Sequence, residues 1–308
     1  MSTISIQNLT KRYGPVLAVD DLSFDVQPGK VTGFLGRNGS GKTTTLRILL
    51  GLAAPTSGTA TIGGLAYHRL PDPVRQVGAA LDSNSFHPGR SAVQHLRIIA
   101  TATGLPHRRV DEVLALVGLS DVAGRRVGGF SLGMRQRLSL AGALLGDPGV
   151  LVFDEPLNGL DPDGIRWLRG LLRELAAENR TVFVSSHLLS EVAQTVDDVV
   201  VLSRGRLRAQ TTLADLVARS SVVRTRTTDA ARLLDVLAAA GHQVRLVDGS
   251  TVEVRSATAD AVGMAAAAAG VTILELSRRD EDLESLFFDL VHQNQQNHQN
   301  HQNQEIAA

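Results

Sequence analysis

The sequence predicts an α/β fold, a parallel sheet wrapped by helices, with a helical insertion and a smaller α+β unit behind it. Three observations carry that expectation. Apolar runs of strand length alternate with segments of helical periodicity between Thr3 and Arg208. The glycine-rich stretch Gly36–Thr43, GRNGSGKT, joins the apolar run Val31–Leu35 to a helix-like run, Thr44–Leu50. The apolar run Val150–Phe153 ends in two acids, Asp154 and Glu155, as expected where a parallel strand opens on a ligand crevice.

In chain order, Thr3–Leu9 and Leu22–Val26 alternate as half-buried strands do, Gln27-Pro28-Gly29 turns, and Val31–Leu35 enters the glycine-rich stretch. Ala54–Gly58 reads as a turn before strand Thr59–Ile62, and Val77–Leu81 as a further strand. From Ser91 to Gly146 the texture is helical, with helices at Ser91–Ala100, Val110–Val117 and Leu132–Leu145. Alternation then resumes with strand Val150–Phe153, helix Ile165–Ala177, strand Thr181–Ser185, helix Leu188–Gln194 and strand Val199–Leu202. The pattern breaks over Arg204–Ser220. Beyond it, strands at Val222–Thr227, Gln243–Val247, Thr251–Val254 and Thr272–Leu276 mix with helices at Ala230–Ala239, Ala257–Ala268 and Glu281–Leu290. His292–Gln304 consists of Gln, Asn and His, offers nothing apolar to bury, and is expected to be disordered.

A chain of 308 residues with 43% hydrophobic composition can build one large or two ordinary domains. Its net charge of zero gives no footprint for nucleic acid. With no cysteine, disulfides and thiolate metal sites are excluded. Met1–Ile6 lacks the regions of a signal peptide. No apolar stretch is long enough for a bilayer, since Ala261–Leu274 is short and broken by Gly263 and Gly270. Any membrane involvement is therefore expected through a partner, without direct insertion.

GRNGSGKT satisfies G-x-x-x-x-G-K-[ST] at every specified position, in the strand–loop–helix setting that gives the pattern meaning. The glycines let successive N–H groups turn toward a phosphate chain, and the following helix adds its partial positive charge. The expected triphosphate cradle comprises Gly36, Asn38, Gly39, Gly41, Lys42, Thr43 and Thr44. Lys42 is expected at the β- and γ-phosphates, and the Thr43 hydroxyl on Mg²⁺. Only three lysines stand among 31 Lys plus Arg, yet one of them is at position 42. A slim ammonium fits among backbone amides where a planar guanidinium does not. Asp154, at the end of its strand, is expected to hold Mg²⁺ through water, and Glu155 to take a proton from an attacking water.

Between the helical insertion and the acidic strand lies Phe130–Arg137, FSLGMRQR. Here the chain resembles the ATP-binding cassette (ABC) family, whose signature is written LSGGQ and followed by a Gln/Arg segment. Ser131, Gly133 and Gln136 match, whereas Leu132 and Met134 depart. Read from the residues, Ser131 caps a helix beginning at Leu132 and makes an anion site with no phosphate of its own. The resemblance implies that this site faces the γ-phosphate held by a second copy. It further implies that Asp161, in Asn158–Pro162, crosses the interface between copies. His187, in Val184–His187, would bond the γ-phosphate and the attacking water, and Tyr13 would stack on adenine. Where the family carries a magnesium-contacting Gln, this sequence has Asp82, a hard-cation ligand that also brings charge.

The resemblance spans Thr3–Arg208 and implies a P-loop NTPase (ABC ATPase) core with a helical subdomain and an antiparallel β subdomain. The expected domains are 1–210 for nucleotide binding (91–146 the helical subdomain), 221–290 as a small α+β accessory domain, and 291–308 as a tail. The implied protein is the ATP-hydrolysing subunit of a transporter, using ATP and Mg²⁺ and pairing with a second copy of itself. It would drive a separate membrane permease from the cytoplasmic face, in the exporter branch for drugs, antibiotics or lipids. The alternative is a non-transport ABC ATPase acting on ribosomes, whose members usually fuse two cassettes where this chain has one. A small-molecule kinase or GTPase would leave the Ser131 and Asp161 segments unexplained.

Overall fold

Val31–Leu35 is buried along its whole length because it runs through the middle of a sheet that is covered on both faces. The computed structural model in which it lies describes residues 2–81, 86–255 and 257–280, with the backbone alone at 218–221 and 278–280. The chain divides into two compact units, Met1–Gln210 and Thr211–Ala308. The first runs β1 (Ile4–Tyr13), β2 (Val16–Val26), β3 (Val31–Leu35), α1 (Lys42–Leu49), β4 (Ser57–Ile62), α2 (Pro73–Gln76), β5 (Val77–Ala80) and α3 (Ala92–Ala102). It continues with α4 (Arg108–Leu116), α5 (Leu132–Leu144), β6 (Val150–Phe153), α6 (Pro162–Ala177), β7 (Thr181–Ser186), α7 (Leu189–Val192), β8 (Asp198–Ser203) and β9 (Arg206–Thr212).

Two sheets form this unit. One is a three-stranded sheet of order β2-β1-β4, with both pairings antiparallel. The other has the order β5-β6-β7-β3-β8-β9, with parallel pairing from β5 through β8. Apolar residues from both sheets and from α1 share one core, and Phe24, Phe34 and Phe183 meet in it with ring centroids 5.1 to 5.8 Å apart. Because Phe183 is fully buried between its two neighbours, Phe183→Ala is expected to cost about 3–5 kcal/mol. A denaturant midpoint within about 1 kcal/mol of the parent would contradict that packing account.

Two strands run further than their sequence alternation. β1 continues past Leu9 to Tyr13 and β2 begins at Val16 rather than Leu22. Asn8 (φ +47°) and Asp21 (φ +48°) adopt left-handed backbone at register shifts between the two strands. The Asn8 side chain donates to Asp21 Oδ1 at 3.0 Å. Each bulge changes which face the next residue occupies, so the alternation stops although the pairing does not. Helix α6 starts at Pro162, with Asp161 as its cap, three residues before Ile165. The segment that broke the pattern holds an edge strand, β9, and a helix, α8 (Leu213–Ser220). No residue of β9 is fully buried, so it has no apolar face to betray it.

The second unit continues from α8 with β10 (Ser221–Thr227), α9 (Ala230–Ala239), β11 (Gln243–Asp248), β12 (Thr251–Arg255), α10 (Ala259–Ala268) and β13 (Ile273–Asp280). Its sheet is antiparallel, of order β11-β12-β10-β13, so its βαββαβ order is that of a split βαβ unit. Val223, Val252 and Val254 from the sheet share a core with Leu233, Leu237, Val262 and Ala266 from α9 and α10. The helix expected at Glu281–Leu290 and the tail from 291 onward lie outside the described residues.

Candidate functional site

The glycine-rich loop leaves the end of β3 and becomes α1 at Lys42, with Gly41 (φ +108°) at the helix N-cap. The backbone is hemmed in on one side. A Cβ on Gly41 would meet Ala18 O at 2.6 Å, and one on Gly36 would meet Leu202 O at 2.7 Å. Gly39 (φ +79°) faces open space, with nothing within 4 Å of where its Cβ would be. A larger residue at Gly36 or Gly41 would push the loop off the sheet, and at Gly39 it would strain the turn that presents the N–H groups. The loop is closed by Ser40 N donating to Arg37 O at 3.0 Å, and the buried Ser40 hydroxyl has no hydrogen-bond partner. Asn38 is exposed at the tip, while Thr43 and Thr44 are half-buried on the first turn of α1.

Lys42 is 5% exposed. Its Nζ donates to Gly36 O at 2.5 Å and lies 3.3 Å from Glu155 Oε1. The Thr43 hydroxyl donates to Asp154 Oδ2 at 2.7 Å. Both acids follow directly on β6, and Asp154 N is tied to Ala80 O of β5 at 2.9 Å. Glu155 has left-handed backbone (φ +50°), a conformation that costs a non-glycine residue about 1–2 kcal/mol. That turn places the carboxylate between Lys42 and His187, whose Nδ1 is 2.9 Å from Glu155 Oε2. A proton on Nδ1 satisfies that contact and leaves the neutral ring's Nε2 as an acceptor.

Ser185 was not among the residues singled out from the sequence. The residue is 1% exposed, and its hydroxyl donates to Asp154 Oδ1 and accepts from Glu155 N at 2.9 Å. One side chain thus fixes both acids. The signal for it was the hydroxyl two positions before His187, but its worth depends on β7 lying beside β6, which spacing alone does not reveal. Ser186 accepts from Leu188 N at 3.1 Å and shapes the turn that carries His187. Ser185→Ala is expected to lower turnover at saturating ATP by about 10–100-fold, the loss of a charge-assisted bond to Asp154. An unchanged kcat in a folded variant would deny it that role.

The other expected residues stand apart from this cluster. Ser131 caps α5, its hydroxyl accepting from Met134 N at 3.2 Å. Gly133 sits against the chain before α6, where an added Cβ would lie 3.1 Å from Gly159 O. Asp161 caps α6 and accepts from Gly164 N at 2.9 Å. Tyr13, at the end of β1, is 48% exposed, with Lys11 Nζ 4.7 Å from its ring centroid. Asp82 lies outside the described residues.

The profile of the ABC transporter family matches residues 19–158. The bacitracin transport ATP-binding protein BcrA of Bacillus licheniformis is 46% identical over 211 residues, which cover 67% of this chain and 69% of that protein. The chain belongs to the ATP-binding proteins of ABC transporters. As an ABC ATPase it binds ATP and couples its hydrolysis to transport. The ABC ATPase is also similar to the lantibiotic transport ATP-binding protein SrtF of Streptococcus pyogenes, 35% identical over 66% of this chain and 88% of that protein. Among solved structures, the ATP-binding subunit of an ABC transporter matches with a TM-score of 0.63 at 29% identity, covering 69% of this chain and 91% of that one. The first unit of the ABC ATPase therefore has the P-loop NTPase fold of a cassette, and the ribosome-acting alternative is not favoured. Residues 221–284 match a domain of unknown function.

Proposed function

We propose that this ABC ATPase powers export of a peptide antibiotic or a related amphiphile through a separate membrane permease. One observation carries the site assignment: Lys42, Thr43, Asp154, Glu155, Ser185 and His187 form a single bonded network at the ends of three adjacent parallel strands, β3, β6 and β7. The export class draws on the bacitracin and lantibiotic transport relatives.

In this reading, residues 1–210 are the nucleotide-binding domain, 91–146 its helical subdomain, and 221–290 an accessory domain followed by the tail 291–308. Tyr13 offers its exposed face to adenine. The loop N–H groups, Thr44 and the Lys42 ammonium hold the phosphates, in a cradle where Gly36 and Gly41 leave no room for a side chain. Among the described residues there is no cluster of three or more His, Cys, Asp or Glu able to hold a metal by themselves. Thr43 and Asp154 fit Mg²⁺ as a pair of hard oxygens, which matches an ion that takes its remaining ligands from phosphate and water. When bound, that ion supplies charge neutralisation at the phosphates. Glu155 accepts the proton of the attacking water, and His187 orients that water through Nε2.

Ser131 and Gly133 stand at the N-terminus of α5, and a second copy is the partner that brings a phosphate to that turn, with Asp161 at the interface. The permease brings the chain to the cytoplasmic face, in keeping with its bacitracin and lantibiotic transport relatives; no described helix is long and apolar enough to cross a membrane. Co-expression with the permease that co-purifies from membranes is expected to raise tolerance to peptide antibiotics, and Lys42→Ala to abolish the gain. Unchanged tolerance alongside active ATP hydrolysis would remove the antibiotic class.

A further inference from the structure

Helix α5, which begins at the Ser131 turn, is tied at two points to the chain that carries Asp161. At its start, the Leu132 side chain lies against Gly159 (φ +78°), where a Cβ would collide with it. Leu132 is one of the positions departing from the family signature, and it fits only because position 159 is glycine. The second tie lies further along α5. Arg137 Nη1 donates to Val117 O at 3.1 Å, the carbonyl of the residue that ends α4. Its guanidinium carbon lies 4.6 Å from the ring centroid of Trp167 on α6. Gly118 (φ +68°) makes room, since a Cβ there would come within 3.2 Å of Arg137 Nη1. A planar guanidinium can stack by its face and donate by its edge at once, which the point charge of lysine cannot.

We infer that Arg137 is a positioning residue that makes the Ser131 turn and the Asp161 turn move as one piece. The inference rests on the reading that both turns meet at the junction between two copies. Arg137 joins three helices: α5, which presents Ser131; α4, through its terminal carbonyl; and α6, whose cap is Asp161. If the ties were cut, each turn would find its place opposite the partner independently, and the ordering would fall on dimer formation. Nucleotide binding to the single chain would not feel it, because the ties of Arg137 run to Val117 and Trp167, which belong to other helices than the one carrying Lys42.

The test uses the full-length chain with Glu155→Gln as parent, and light scattering with Mg-ATP. Arg137→Ala is expected to raise the protein concentration for half-dimerisation about tenfold. Arg137→Lys is expected to recover only part of that loss. Trp167→Ala should show part of the Arg137→Ala loss, because it leaves the bond to Val117 O in place, and the double variant should be no worse than Arg137→Ala alone. Trp167 is the only tryptophan, so its emission reports loss of the Arg137 cation directly, and Arg137→Ala should shift it before any nucleotide is added. Binding of a fluorescent ATP analogue to the single chain should change by less than about twofold. Dimerisation of Arg137→Ala at the parental concentration would overturn the inference, as would a parallel loss of analogue binding. A parent that fails to dimerise would bring down the two-copy reading and the inference with it.

Discussion

Replacing Glu155 with Gln is expected to leave ATP binding intact and to lower turnover by about 10²–10⁴-fold, the usual contribution of a positioned base. The amide keeps the size of the carboxylate and can still bond to His187 Nδ1 or accept from Lys42. What it loses is the capacity to take a proton. The variant should therefore separate two events that the native chain runs together, holding ATP and hydrolysing it. Single-turnover phosphate release at saturating ATP reads the chemistry, and equilibrium binding of ATP reads the rest. Near-parental phosphate release would move the proton acceptor elsewhere, with Asp154 the nearest candidate, since its oxygens take the Thr43 and Ser185 hydroxyls.

Lys42→Ala has the second large effect, and on the other event. Lys42 is 5% exposed, and its ammonium is held by Gly36 O and by the Glu155 carboxylate. Removing one member of a buried, hydrogen-bonded charge pair costs about 2–5 kcal/mol. Part of that cost falls on Glu155, left without its cation, and part on the phosphate chain. Affinity for ATP is expected to fall by about 30-fold or more, measured by calorimetry on the full chain. Lys42→Arg should fail to restore it, because a planar guanidinium needs width that the loop between β3 and α1 does not have. ATP binding at parental strength in Lys42→Ala would mean that the backbone amides alone hold the phosphates.

The sequence revealed which residues meet at this site better than how they are wired. Lys42 and Thr43 were legible because the loop pattern fixes them relative to the strand and the helix on either side. Asp154 and Glu155 were legible because an apolar run ending in acids has few other readings beside such a loop. Ser185 was not, since its role comes from the neighbourhood of β6 and β7, a relation between segments some thirty residues apart. In the fold, the buried strands announced themselves through unbroken apolar runs, while β1 and β2 were cut short at Asn8 and Asp21, where bulges reverse the alternation. Strand β9 stayed hidden because an edge strand with half-exposed residues needs no apolar stripe. Apolar periodicity starts α6 too late, at Ile165, although Asp161 and Pro162 are the cap and first residue of the helix.

The left-handed turn at Glu155 marks one place where this molecule should not be hardened. Glycine would sit there with less strain, and a search for heat resistance that screened only for folding would drift toward it and remove the proposed base. Gains in durability have to come from places that chemistry does not use, such as the three-phenylalanine core or the valine-lined sheet of the second unit.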